Sequence, residues 1–169
     1  MESLISSLDK VAQILSSLLH YLSNTILLFM TFLITFNVIG RYFFNQPILG
    51  AFELTEQSSA LLVFFALAVT HQYKEHIAIG FLVDKLSVKL RHSIEGIIEV
   101  VIFIVVLVMS WAVLQEAFRM MNRGVTTSDL SLVVYPFIIV ASAGLLIFAL
   151  TAFTNSLKHF VKVVSTHES

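Results

Sequence analysis

Four stretches of the chain stay apolar for about the length that crosses a bilayer, and polar or turn-forming residues close each of them. They run from about His20 to Gly40, Thr55 to Tyr73, Ile94 to Gln115 and Val133 to Phe153 (residues 20–40, 55–73, 94–115 and 133–153). A spanning helix needs roughly 20 such residues, because each rises about 1.5 Å and every backbone amide must be bonded within the helix. Arg41 closes the first stretch, Asn45-Gln46-Pro47 breaks the chain after it, and Lys74-Glu75 closes the second; Gly124 to Asp129 forms the turn before the fourth. The pattern predicts an all-α integral membrane protein, a single membrane domain over residues 1–169 with four transmembrane helices. No stretch is left for a large soluble domain.

Three further segments place apolar residues at helical spacing opposite polar ones, the mark of a helix lying along a membrane surface. Over residues 3–17, Leu4, Ile5, Leu8, Ala12 and Leu15 oppose Asp9, Lys10 and Gln13, although this stretch could equally extend the first span. Over 80–91, Leu82, Leu86 and Leu90 oppose Lys85, Lys89 and Arg91, and over 155–164, Leu157, Phe160, Val161 and Val164 oppose Lys158 and Lys162. Short amphipathic interfacial helices are expected here, with Lys85, Lys89, Arg91, Lys158 and Lys162 reaching lipid phosphates. They read either as plain anchors of the bundle or as a collar that grips a membrane partner.

Composition sharpens this picture more by exclusion than by assignment. Of 169 residues 57% are hydrophobic and 12% charged, and the mean hydropathy is +0.91, far from soluble norms. Ten Lys and Arg against eleven Asp and Glu argue against a nucleic-acid partner. The absence of cysteine excludes disulfides, thiolate metal sites, iron–sulfur clusters and cysteine nucleophiles. The first apolar run starts late, is too long and lacks a small-residue cleavage pattern, so it reads as a retained helix and not a signal peptide. Orientation follows from basic residues, which short loops keep on the cytoplasmic side. Lys10, Lys74, Lys85, Lys89, Arg91, Lys158 and Lys162 fall on one side and Arg41, Arg119 and Arg123 on the other. Both termini and all six histidines are thus expected on the cytoplasmic side, with the loops around Pro47 and Gly124 facing outward.

Candidate chemistry is sparse. The bilayer midplane, where carriers place substrate and ion sites, receives no acid or base from any span. Glu95 and Glu99 share a helix face near the cytoplasmic edge of the third span. They read either as a paired-carboxylate cation or proton site or, as the plainer expectation, as acids that meet a lysine or water at the interface. Asn37 and Arg41 end the first span just across a short loop from Glu53 and Glu56, a place for a salt-bridged hairpin; Arg41 reads equally as snorkelling to headgroups or docking a partner. Tyr42, Trp111 and Tyr135 fall near the outer interface as an aromatic belt. Four-helix membrane proteins can hold a b-type haem between facing histidines, for which His20 and His71 are the best pair. Histidines at span ends and in tails are, however, expected to be exposed. No GxSxG, HExxH, P-loop or GxGxxG arrangement is present, so no nucleophile elbow, zinc protease site or nucleotide cradle is expected and the chain does not read as an enzyme. Gly40, Ala66, Ala68, Ser110, Ala141, Ala143 and Gly144 offer small-residue contact points between helices.

The run Asn37-Val38-Ile39-Gly40-Arg41-Tyr42-Phe43-Phe44-Asn45-Gln46-Pro47, followed by Glu53-Leu54 and Glu56, resembles the small transmembrane, Q-type subunit of TRAP transporters. His76-Ile77 with Asp84, then Gly124, Tyr135-Pro136 and Gly144, extend the resemblance over nearly the whole chain, while Ala51-Phe52 stands where that family often has a tryptophan before the acid. The resemblance implies a non-catalytic subunit that braces the scaffold of a large elevator-type membrane subunit and helps dock a periplasmic substrate-binding protein. It implies Arg41, Tyr42, Asn45, Pro47, Glu53 and Glu56 as assembly or docking positions. It also implies a bacterial inner-membrane location and sodium-driven uptake of carboxylate solutes of the C4-dicarboxylate or sialic acid type. No cofactor is expected in this chain, sodium belonging to the large partner. A haem-bearing anchor of a redox enzyme is the alternative reading.

Overall fold

A computed structural model describes residues 2–72 and 88–165, with side chains over 5–72 and 90–161. Four helices follow in order: α1 (Glu2–Phe44), α2 (Ala51–Gln72), α3 (Val88–Arg123) and α4 (Tyr135–Ser165). All four contain a stretch long and apolar enough to cross a membrane, and the chain is an all-α membrane protein.

The first helix is unbroken because nothing in it can break it: residues 2–39 contain neither glycine nor proline. Three of its exposed hydroxyls also stay inside the helix, Thr25, Thr31 and Thr35 each donating to the carbonyl four residues earlier at 2.7–2.9 Å, which satisfies them without water. The stretch over 3–17 is thus the opening of α1 and not a separate surface helix. Its buried positions are Ala12, Ser16, Leu19 and Ser23, spaced four, three and four residues apart, a seam that turns inward toward α2 and α4. Small residues win that seam because lipid supplies no hydrophobic drive, so close backbone approach has to supply the contact. The stretch over 155–164 likewise continues α4 without a break. Most of the stretch over 80–91, together with His76-Ile77 and Asp84, lies outside the described residues; Val88 to Arg91 open α3.

Packing converges on α4, which alone makes extensive contact with all three other described helices. Half of its most apolar window is buried, against 6% for that of α1. Leu145 and Phe148 of α4 join Leu19, Phe65, Ala68 and Val106 in one hydrophobic cluster. Among the expected contact points, Ala68, Ser110, Ala141 and Gly144 are buried, whereas Ala66 and Ala143 are exposed. Ser110 and Ser142 lock α3 to α4 reciprocally, each hydroxyl donating to the other's carbonyl at 3.0–3.1 Å. The 22 described residues of α2 run about 33 Å, enough to cross the ~30 Å hydrocarbon thickness.

Candidate functional site

Chemistry-bearing side chains gather at the two ends of α2, here the Pro47 end and the His71 end. At the Pro47 end the chain must leave α1 and enter α2 within six residues. Asn45 takes a left-handed conformation (φ 53°), which asparagine tolerates better than other non-glycine residues, and Pro47 follows where the helix cannot continue. The turn folds back over the helix it leaves. Gln46 N–H donates to the Gly40 carbonyl at 3.1 Å and Ile48 N–H to Asn37 Oδ1 at 2.8 Å. A Cβ on Gly40 would sit 2.7 Å from the Gln46 carbonyl oxygen. Asn37, Gly40, Asn45 and Pro47 are therefore the parts of one reversing turn.

Glu53 does not pair with Arg41. It is 6% exposed, and its carboxylate accepts the Asp129 N–H at 2.5 Å and the Leu130 N–H at 3.1 Å. It thereby pins the α3–α4 loop to the first turn of α2, where a negative charge also suits the helix dipole. That loop is a small hairpin, with Thr126 bridged to Val133 and Leu132 N–H donating to Thr127 Oγ1 at 3.0 Å. Gly50 at φ 71° receives the Leu130 side chain against its α carbon, space that a Cβ would occupy. The expected salt-bridged hairpin is replaced by this clamp, because two aimed backbone donors satisfy a buried carboxylate without burying a second charge. Arg41, Tyr42 and Glu56 are exposed, and Arg41 makes no ion pair among the described residues. Beside the clamp lies a concavity of about 360 Å³ lined by Phe52, Glu56, Gln57, Met120 and Asp129 among others.

At the His71 end, polar side chains of all four helices pair. His71, 1% exposed, places Nε2 2.9 Å from Glu99 Oε2 and packs its ring on Phe148, centroids 4.8 Å apart. Glu95 accepts from Arg91 Nε at 3.0 Å on one oxygen, while the other lies 3.3 Å from His92 Nδ1 and 3.1 Å from His159 Nδ1. Asp9 of α1 forms an ion pair with Lys158 of α4 and accepts from Gln13 Nε2 at 3.0 Å.

Two expectations change here. Among the described residues Glu95 and Glu99 meet histidines and an arginine, and His71 and His159 are buried, not exposed. The cause is the same in both cases: the helix ends bundle together instead of spreading along the interface, so each acid finds a partner on a neighbouring helix. Of the expected lipid-contacting residues, Arg91 and Lys158 are thus engaged by Glu95 and Asp9. Lys85 and the side chains of Lys89 and Lys162 lie outside the described residues. His20 is 3.2 Å from Asn24 Nδ2 through Nε2.

Sequence spacing carried part of this. Arg91, His92 and Glu95 are three and four residues apart and so share a helix face, but nothing local marks His159 or Lys158 as their level on α4. Asp129 and Leu130 contribute backbone groups, which carry no residue signature at all.

A family model described as Tripartite ATP-independent periplasmic transporters, DctQ component, matches residues 30–162. A curated protein of Haemophilus influenzae, provisionally named a TRAP transporter small permease protein, is 25% identical over 106 residues; the match spans 63% of this chain and 64% of the relative's length.

Proposed function

Since this chain belongs to the DctQ component of the tripartite ATP-independent periplasmic transporters, we propose that it is a non-catalytic brace for the large membrane subunit of such a transporter. Membership makes it a transporter component that works in a complex with the other components. The single observation that carries the bracing role is the distribution of polar groups. Among the described residues, ionisable side chains collect at the two ends of the bundle, while the length between them is held by the Ser110–Ser142 lock and the α4-centred hydrophobic cluster. A bundle built this way offers fixed surfaces for a partner, with the ion path left to the large subunit.

Within that reading the exposed apolar faces of α1 (Phe29, Phe32, Phe36) and α3 (Val101, Ile104, Val108) meet lipid and the large subunit. Seven basic residues in the first, middle-loop and last segments of the sequence, against three in the other two loops, support an orientation with both termini in the bacterial cytoplasm. The Pro47 end then faces the periplasm, where the Glu53 clamp holds the concavity with Glu56, and the exposed Arg41 and Tyr42, in a fixed arrangement for a substrate-binding protein. Sodium and the carboxylate solute, of the C4-dicarboxylate or sialic acid type, are handled by the partner subunits.

The experiment is reconstitution in proteoliposomes of this chain with its large membrane subunit and binding protein, with labelled solute and an imposed sodium gradient. Uptake is expected only with all three, and Arg41→Glu should weaken assembly or docking while leaving solute preference unchanged. Full uptake without this chain, or a solute preference altered by Arg41→Glu with assembly intact, overturns the reading.

A further inference from the structure

We propose that His92, Glu95 and His159 form a binding site for a transition-metal dication of the zinc class, clipping α3 to α4 at the His71 end. The inference stands apart from the transport role and needs none of the partner subunits. Two residues of the set, His92 and Glu95, are one helical turn apart on α3, and the third, His159, faces them from α4. This is the arrangement by which helical bundles hold metals, with an i, i+3 His/carboxylate pair on one helix completed from a facing one.

The spacing fits an ion. Tetrahedral nitrogen and oxygen ligands at about 2.0–2.1 Å from zinc stand roughly 3.3 Å from one another. Glu95 Oε2 lies 3.3 Å from His92 Nδ1 and 3.1 Å from His159 Nδ1, and the three ligand atoms all fall within 4.8 Å of each other. A single ion can therefore reach all three with small side-chain adjustments. The carboxylate is also oriented from behind. Arg91 Nε holds Oε1 at 3.0 Å, which turns Oε2 toward the histidines, the kind of outer contact that fixes a metal ligand. Burial completes the set: the His159 side chain is 10% exposed and those of His92 and Glu95 about a fifth, and both Nδ1 atoms are buried, so the ligand atoms are screened from solvent.

Ligand chemistry selects the ion. Two imidazoles and one carboxylate suit Zn2+, Co2+ or Ni2+, whereas Ca2+ and Mg2+ require an oxygen-rich shell. The arginine on Oε1 offsets part of the carboxylate charge, which disfavours hard cations held by charge alone. Three protein ligands leave a fourth position on the ion for water or another donor.

The test uses the full chain purified in detergent without a histidine tag, stripped by chelator and titrated with ZnCl2 by calorimetry and with CoCl2 by visible absorbance. One equivalent of zinc is expected to bind with micromolar or tighter affinity, and cobalt to give the intense visible bands of a four- or five-coordinate histidine site. His92→Gln, Glu95→Gln and His159→Gln should each weaken binding by at least roughly tenfold, while His20→Gln and His167→Gln bind as the parent does. Circular dichroism and elution volume establish that each variant is folded, and the parent titration decides the matter without them. No saturable site tighter than about 100 µM overturns the proposal and leaves Glu95 as an ion-pair acceptor for the two histidines. Binding that survives all three ligand substitutions overturns it as well.

Discussion

Gly144 of α4 packs directly against Phe65 of α2, and filling it gives a measurable test of the packing. A Cβ there would stand 2.8 Å from Phe65 Cδ1 and 3.1 Å from Cε1, where ordinary contact begins at 3.4 Å, so the ring or the helix must yield by about 0.6 Å. Phe65 is 3% exposed and sits inside the central hydrophobic cluster, which leaves its ring little room to retreat. Overpacking of this kind costs roughly 1–3 kcal/mol. Alanine's intrinsic helix preference over glycine opposes it by about 1 kcal/mol. Gly144→Ala should therefore destabilise the fold by up to about 2 kcal/mol. The diagnostic is the sign change on a second background. With Phe65→Ala both colliding atoms are gone, and Gly144→Ala should become neutral or stabilising by up to about 1 kcal/mol, a coupling between neighbours of the usual 0.5–3 kcal/mol size. Reversible SDS titration of the purified chain in detergent micelles, followed by far-ultraviolet circular dichroism, reads all four stabilities. An identical effect of Gly144→Ala on both backgrounds would refute the α2–α4 contact at this point.

Two further outcomes test the Pro47 end. Glu53→Ala removes the acceptor for both loop amides, so hydrogen exchange at Asp129 and Leu130 should accelerate strongly while the amides of the α4 core keep their protection; unchanged exchange at those two positions would show that the carboxylate does not hold the loop. Asn45→Gly should leave stability within about 0.5 kcal/mol, whereas Asn45→Val should cost about 1–2 kcal/mol because a β-branched residue resists the left-handed conformation; equal thermal midpoints for the two variants would sink the cap assignment.

The four spans were legible because twenty-residue apolar runs leave few alternatives in a chain without a soluble core. The three amphipathic segments were harder. Leu4, Ile5 and Leu8 satisfy a surface helix as well as a bundled one, and periodicity cannot distinguish lipid headgroups from a neighbouring helix as the surface being faced. The decisive residues on α1 were Ser16 and Ser23, whose small polar side chains look like solvent-facing positions yet line the buried seam. At the candidate site, the run from Asn37 to Pro47 stood out in the sequence, but its physical content did not. Gly40 is required by a carbonyl that returns from Gln46, and Glu53 finds its donors on Asp129 and Leu130, 76 and 77 residues away. Buried histidines escaped for a related reason. His71 and His159 sit at the ends of spans, where exposure is the ordinary outcome, and only the convergence of α2, α3 and α4 brings Glu99 and Glu95 to them.

The unbroken α1 has a mechanical consequence. Its 43 residues make a rod of about 65 Å, roughly twice the hydrocarbon thickness, with the reversing turn at one tip and Asp9 near the other. The rod thus carries the Pro47 turn and the Asp9 arm on one unbroken piece, and the Asp9–Lys158 ion pair together with the Ala12–Ser23 seam ties that arm to the bundle, so a displacement at one tip is transmitted to the other instead of being absorbed in a hinge.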